Sequence, residues 1–511
     1  MDAVVHTGTA TRDLAKSDLT KPDFARPDFE VAVIGTGFAG LCMAIKLKEQ
    51  GRQDFVLIER GASVGGTWRD NDYPGAACDV PSHLYSFSFE PNPDWSRKYP
   101  TQPELHAYLK GIAEKHKLLP HIRFNSTFLG AEYDEAAQLW RINTSQGELS
   151  ARVVVSGSGG LAEPKLPDIQ GVADFKGKTF HSSRWDHAYD LSGKRVAVIG
   201  TGASSIQFVP QIAGKVGRLD VYQRTPNWII PRPDRAYSRM EKWLFRVLPA
   251  TRRLHRAMIY WSHEARVMGI VLHPSLMKIF QKIGERHIRK QVKNPVLRSK
   301  VTPNYTIGCK RILISNDWYP ALQRPNVDLV TDGIREIREN AVVTADGTVR
   351  EVDCIIFGTG FYATENPIAD VIRGTGGQTL AQAWANGEEA YLGTLVKGFP
   401  NLCFIVGPNT GLGHSSMVFM IQTQTAYIMR LLAHLRGAKA GTLEVKAEVQ
   451  DGYNRRLHER LGGSVWATGC KSWYQHKSGK ITALWPGFTF SFWLRSRRFS
   501  EADYTLGGQP A

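Results

Sequence analysis

Two glycine-rich turns, each caught between a short apolar strand and an amphipathic helix, constrain this chain more than any other feature. The first follows Phe29-Glu30-Val31-Ala32-Val33-Ile34 and reads Gly35-Thr36-Gly37-Phe38-Ala39-Gly40, with an apolar helical stretch running on from Leu41. In that setting Gly35 permits a tight turn, Gly37 admits a pyrophosphate against the backbone, and Gly40 lets helix and strand pack closely. The helix N-terminus then faces the anion. A second strand, Phe55-Val56-Leu57-Ile58, ends at Glu59, 24 residues after Gly35. A carboxylate there accepts hydrogen bonds from ribose hydroxyls and repels a 2′-phosphate, so FAD or NAD fits and NADP does not. The same device recurs at Arg195-Val196-Ala197-Val198-Ile199 and Gly200-Thr201-Gly202-Ala203-Ser204-Ser205. Its second strand ends at Arg224, again 24 residues after the first glycine. Here a base replaces the acid and can form charge-assisted bonds to a 2′-phosphate. The pair predicts an α/β chain with two Rossmann-like dinucleotide-binding domains, and a flavin plus NADPH is the economical assignment.

The first unit is not contiguous in sequence. After its opening strands, Ala151-Arg152-Val153-Val154-Val155 leads to Ser156-Gly157-Ser158-Gly159-Gly160. Much later Val352-Asp353-Cys354-Ile355-Ile356-Phe357 leads to Gly358-Thr359-Gly360-Phe361. The simplest arrangement inserts an NADP-binding domain (161–350) into an FAD-binding domain made of 29–160 and 351–511, behind a flexible tail (1–28). That tail carries interleaved charges and the echo KPDFARPDF without an apolar h-region, so it does not read as a signal peptide. No apolar run approaches the length of a transmembrane helix. The six cysteines, Cys42, Cys78, Cys309, Cys354, Cys403 and Cys470, show no C-x-x-C pair and no Cys/His metal spacing. They are expected to be reduced, mostly buried thiols in a cytoplasmic protein with no metal, as monomer or homodimer. The missing cysteine pair also argues against a two-cradle disulfide reductase.

Two further stretches name a family. Gly65-Gly66-Thr67-Trp68-Arg69-Asp70-Asn71-Asp72-Tyr73-Pro74-Gly75-Ala76-Ala77-Cys78-Asp79 and Phe175-Lys176-Gly177-Lys178-Thr179-Phe180-His181-Ser182-Ser183-Arg184-Trp185-Asp186 resemble the two signature motifs of the type I Baeyer–Villiger monooxygenases at every fixed position. Related N- and S-oxidising flavin monooxygenases usually end the second motif in Tyr or Phe, where this chain has Trp185-Asp186. The resemblance covers roughly residues 29 to 490. It implies an FAD enzyme that uses NADPH and O₂ to form a flavin peroxide and inserts one oxygen atom beside a ketone carbonyl, giving an ester or lactone. Oxidation of sulfur or nitrogen by the same device is the alternative. By the resemblance, Arg311 is the catalytic cation and Asp79 its partner. Thr67, Trp68, Tyr85 and Met417 contact the flavin, while Arg224, Thr225 and Lys310 hold the 2′-phosphate. Trp473 rides a mobile loop over NADP and substrate, and His181 serves a hinge between domains rather than the chemistry.

The charge balance needs one local explanation. The net charge is +16, yet residues 232–300 hold 17 Lys and Arg against only Asp234, Glu241, Glu264 and Glu285, a net of +13. The rest is close to neutral, which excludes a general nucleic-acid binder. Residues 235–300 carry apolar side chains at helical spacing: Trp243, Leu244, Val247, Leu248, Met258, Ile259, Trp261, Leu276, Ile279, Phe280 and Ile283. The expectation is a helical insert in the NADP domain, capping the site and touching an anionic membrane surface weakly. The stretch Phe488-Thr489-Phe490-Ser491-Phe492-Trp493-Leu494-Arg495 repeats that chemistry. A hydrophobic ketone is the expected substrate.

Overall fold

The chain enters its first sheet on β1 (Phe29–Ile34), turns into α1 (Phe38–Glu49) and returns on β2 (Phe55–Ile58), followed by β3 (Ile122–Arg123), β4 (Phe128–Asp134), β5 (Leu139–Thr144) and β6 (Gly147–Ser156). It crosses to a second sheet through β7 (Lys178–His181), β8 (Arg195–Ile199), α2 (Ser205–Ile212) and β9 (Arg218–Tyr222). The helices α3 (Arg239–Val247), α4 (Pro249–Glu264) and α5 (Met277–Gln291) intervene before β10 (Val327–Val330) and β11 (Cys354–Phe357). The first sheet then receives β12 (Ile372–Arg373) and β13 (Leu402–Phe404), and α6 (Met417–Gly437) and α7 (Thr489–Arg497) follow. The structure is a computed structural model that describes residues 26–365 and 367–508; most of the proposed tail 1–28 lies outside the described residues.

The first sheet has eight strands in the order β12-β4-β5-β6-β1-β2-β3, with β13 also paired to β6. At its centre β1 runs parallel to β2 and β6, Val33 facing Leu57 on one side and Val155 on the other. Residues 31–34 are all buried, as in a parallel strand covered on both faces. The second sheet is parallel throughout, in the order β10-β9-β8-β11-β7. One apolar core runs through both units, including Val33, Leu41 and Ile45 of the first and Val198, Ile206 and Phe208 of the second.

The order of the second sheet corrects one domain boundary. Residues 354–357 pair with β7 and β8, so this strand belongs to the second unit and the chain returns to the first after it, not at 351. Sequence alone could not decide, because the strand plays for the second cradle the part that β6 plays for the first. A Cβ on Gly35 would lie 3.1 Å from the Gly157 carbonyl, and one on Gly200 would lie 2.5 Å from the Gly358 carbonyl. In each unit the first glycine of the cradle backs onto the glycine that ends the neighbouring strand.

The insert is helical, as its periodicity predicts. α3 starts with a capping box in which the Glu241 N–H donates to Ser238 Oγ (3.1 Å) and the Ser238 N–H donates to Glu241 (2.8 Å). The insert also ties the units together: Arg256 of α4 donates to the Ser86 carbonyl of the first unit at 3.1 Å, and Arg246 pairs with Asp94 at 2.5 Å.

Candidate active site

The geometry of both cradles suits a dinucleotide. Gly35 (φ +92°) and Gly200 (φ +102°) hold backbone conformations that L side chains rarely adopt, and a Cβ on Gly40 would sit 1.9 Å from the Gly35 carbonyl oxygen. The Gly65 N–H donates to the Thr36 carbonyl (3.1 Å), and a Cβ on Gly66 would come within 3.0 Å of Gly37 Cα. The first signature is thereby laid against the first cradle. Thr67 and Trp68 follow in a helical turn, and Trp68 Nε1 donates to Tyr85 Oη at 3.3 Å. Met417 opens α6, a helix packed along α1. Glu59 is buried and fully occupied: its two oxygens accept from Thr36 N and Oγ1 (3.1 and 2.5 Å), Gly61 N (2.7 Å) and Arg69 Nη1 (2.6 Å). Four donors fill a carboxylate. A ribose hydroxyl would have to displace one of them, and Arg69 has two further acceptors to keep, the Ser63 carbonyl (2.6 Å) and Asp70 Oδ1 (2.7 Å).

Around the second cradle, Arg224, Thr225 and Lys310 line a cavity of about 520 Å³ together with Asn304, Tyr305, Gly469, Cys470 and Lys471. Among the described residues neither Arg224 nor Lys310 has a carboxylate partner within ion-pair distance, and burial together with the Arg224 charge pulls the Lys310 ammonium below its ordinary value. Two cations facing one cavity without an acid are suited to a phosphate. Ser204 is half-buried beside the cradle. Ser205 differs from the expectation: its side chain is fully buried, and a Cβ on Gly358 would fall 2.0 Å from its hydroxyl. It packs where Gly40 packs in the first cradle, so what it offers a nucleotide is the first-turn N–H of α2 and not its hydroxyl. Trp473 does not line the cavity; its ring is 45% exposed and rests on Tyr474. Lys471, missed in the sequence, does line it.

Between the units lies the Arg311–Asp79 pair. Arg311 donates through Nε (3.1 Å) and Nη2 (2.5 Å) to Asp79 Oδ2. Burial alone would raise the Asp79 carboxyl, but the charge and hydrogen bonds of Arg311 outweigh it and hold it below its ordinary 3.8. Asp79 in turn holds the guanidinium charged. The pair joins two units because the first signature docks on α2. Gln207 accepts from Tyr73 Oη (3.0 Å) and the Ala77 N–H (3.2 Å) and donates to the Ala77 carbonyl (3.0 Å). Gly75 leaves no room for a side chain there, since a Cβ would lie 2.8 Å from Gln211 Cγ. Gln207 was invisible as a functional residue, because its partners are set by docking and not by spacing. Trp185 packs between Phe180 and Phe208, so the second signature buttresses the same helix. His181 ends β7, buried; its Nδ1 accepts from the Ser183 N–H (3.1 Å), and burial pushes it down to about 4, leaving the ring neutral near pH 7. Its contacts are with Ser183 and Phe361 at the crossover between units.

The cysteine expectation is corrected on one point. Cys309 and Cys470 form a disulfide across 161 positions, and the other four cysteines are free and buried. The bond ties the segment carrying Lys310 and Arg311 to the loop carrying Lys471 and Trp473. Tyr474, on the same loop, is buried against Arg311. Denatured without reductant, the protein is expected to show four reactive thiols, and with reductant all six. Six thiols in both conditions would contradict the bond.

The chain is similar to known proteins along most of its length. Residues 28–372 match the family model for flavin-binding monooxygenase-like proteins. A Baeyer–Villiger monooxygenase of Pseudomonas aeruginosa is 51% identical over 484 residues, 94% of this chain and 92% of the relative. Another, from Streptomyces coelicolor, is 50% identical over 478 residues, 93% and 92% of the two chains. Among solved structures, OTEMO in complex with FAD and NADP superposes with a TM-score of 0.85 at 26% identity, covering 94% of this chain and all of that one.

Proposed function

The chain belongs to the Baeyer–Villiger monooxygenases within the flavin-binding monooxygenase-like family, and on that premise we propose that the Arg311–Asp79 pair is the centre of its chemistry and that its substrate is a hydrophobic ketone. The activity is insertion of one oxygen atom from O₂ next to the ketone carbonyl, with FAD and NADPH as cofactors. FAD, when bound, accepts hydride from NADPH and activates O₂.

Everything else falls to the chain. The glycines of the first cradle, with Glu59, Thr67, Trp68, Tyr85 and Met417, hold FAD; Arg224, Thr225 and Lys310, helped by Lys471, hold the 2′-phosphate of NADPH. Arg311 supplies a fixed positive charge for the negative charge that develops as oxygen passes to the carbonyl. Asp79 orients the guanidinium through two hydrogen bonds to one carboxylate oxygen and keeps it charged, at the seam where the two cofactor units meet. That placement is the single observation carrying the reading: a cation built from one unit and aimed by the other is in place only when the units are docked. His181, neutral and bound to the crossover, acts on this docking and not on the substrate. No helix of the described residues is long and apolar enough to cross a membrane.

Product analysis with linear, cyclic, aryl and steroid ketones, set against sulfides and amines, tests the reading. Esters or lactones are expected from ketones. Oxygenation of sulfides or amines alone would replace it with heteroatom oxidation.

A further inference from the structure

Two aromatic, basic stretches far apart in the sequence are fastened together in space. Glu264, the last residue of α4, is buried and accepts hydrogen bonds from both N and Oγ1 of Thr489, the first residue of α7, at 2.8 Å each. Tyr260 Oη lies 3.0 Å from the same hydroxyl, and the Trp261 ring is centred 5.9 Å from that of Phe490. α4 and the start of α7 are therefore joined into one body by direct side-chain contacts.

Part of what this body shows to solvent is apolar. Leu254 (64% exposed), Met258 (58%) and Trp261 (59%) recur at i, i+4 and i+7 and form one stripe on α4, while Ile259 and His263 are buried on its other side. Trp493 and Leu494 of α7 are exposed too, as is Trp243 of α3, which packs on α4. Exposed cations belong to the same two helices: Arg253 on α4 and Arg498 just after α7, with Arg497 4.5 Å from the centre of the Trp493 ring. An apolar surface of this kind on a folded chain marks a contact.

The charge identifies the occupant. A second copy would set the exposed cations of one surface against those of the other. A nucleic acid would satisfy the cations and could stack on the tryptophans, but would leave Leu254, Met258 and Leu494 in water. The boundary of an anionic bilayer satisfies both, with headgroups for the arginines and the acyl margin for the stripe. We propose that α4 and α7, with α3 beside them, form a monotopic docking surface for anionic lipid bilayers. The surface lies outside the cofactor machinery, and the proposal goes beyond the oxygenation reading: its test reads no ester, so either can fail without the other.

The experiment is co-sedimentation of the holoenzyme with vesicles of phosphatidylcholine and phosphatidylserine, or of phosphatidylcholine alone, at low and high salt. At low salt the bound fraction is expected to be about tenfold higher on the anionic vesicles, and the excess should disappear at high salt. A Met258→Ser/Trp261→Ser variant is expected to keep NADPH-dependent turnover and binding to heparin resin while losing vesicle binding by about tenfold. Equal vesicle binding by wild type and variant would reduce the interaction to charge and overturn the proposal. So would failure of the wild type to sediment with anionic vesicles. A wild-type dimer in analytical ultracentrifugation that the variant abolishes, without vesicle binding, would assign the stripe to a second copy instead.

Discussion

Replacing Arg311 by alanine is expected to lower ester formation by on the order of 10²–10³-fold, the scale of losing one preorganised charge at a developing oxyanion. Flavin reduction by NADPH should stay within about tenfold of the wild-type rate, because the first cradle and Lys310 remain. Stopped-flow reduction measured beside product yield separates the two steps. Arg311→Lys restores the charge but not the paired Nε and Nη2 donors that grip Asp79 Oδ2, so it is expected to recover little. Oxygen transfer surviving in Arg311→Ala at near wild-type yield would move the catalytic cation elsewhere.

The second large effect concerns cofactor choice. Arg224→Ala is expected to raise KM for NADPH on the order of 10–100-fold, corresponding to about 1.5–3 kcal/mol for a hydrogen bond to a charged group. kcat should change little, since the 2′-phosphate is held alike in ground and transition states. KM for NADH should scarcely move, so the preference between the two cofactors narrows. Steady-state kinetics with both cofactors checks it, and an equal rise for NADH would show that Arg224 acts on the fold of the cradle and not on the phosphate. Lys310 limits the effect, because it faces the same cavity and remains when Arg224 is gone.

How much of this was legible in the sequence follows from how local each signal is. The cradles were readable because strand, turn and helix are written consecutively, and Glu59 and Arg224 fall at the same spacing from their first glycines. The two signatures contain Asp79 and Trp185, and the family resemblance they carry points to Arg311 outside both of them. What the sequence withheld depends on docking. The strand at 354–357 enters the second sheet, yet its pattern of apolar residues followed by small ones suits either sheet. Gln207 reads as an ordinary helix residue until Tyr73 and Ala77 are laid against it. Cys309 and Cys470 are far apart in the chain and meet because both segments wall one cavity. Glu264 and Thr489 likewise carry no signal separately, although together they join the two basic, aromatic stretches into one surface.

The most direct test of the account is the fate of labelled oxygen. With NADPH, ¹⁸O₂ and a ketone that the enzyme converts, the account predicts an ester carrying ¹⁸O at its bridging oxygen and unlabelled oxygen at its carbonyl, with NADPH consumed in step with product. Ester without label, or NADPH consumed with only hydrogen peroxide formed across the whole ketone series, would contradict it.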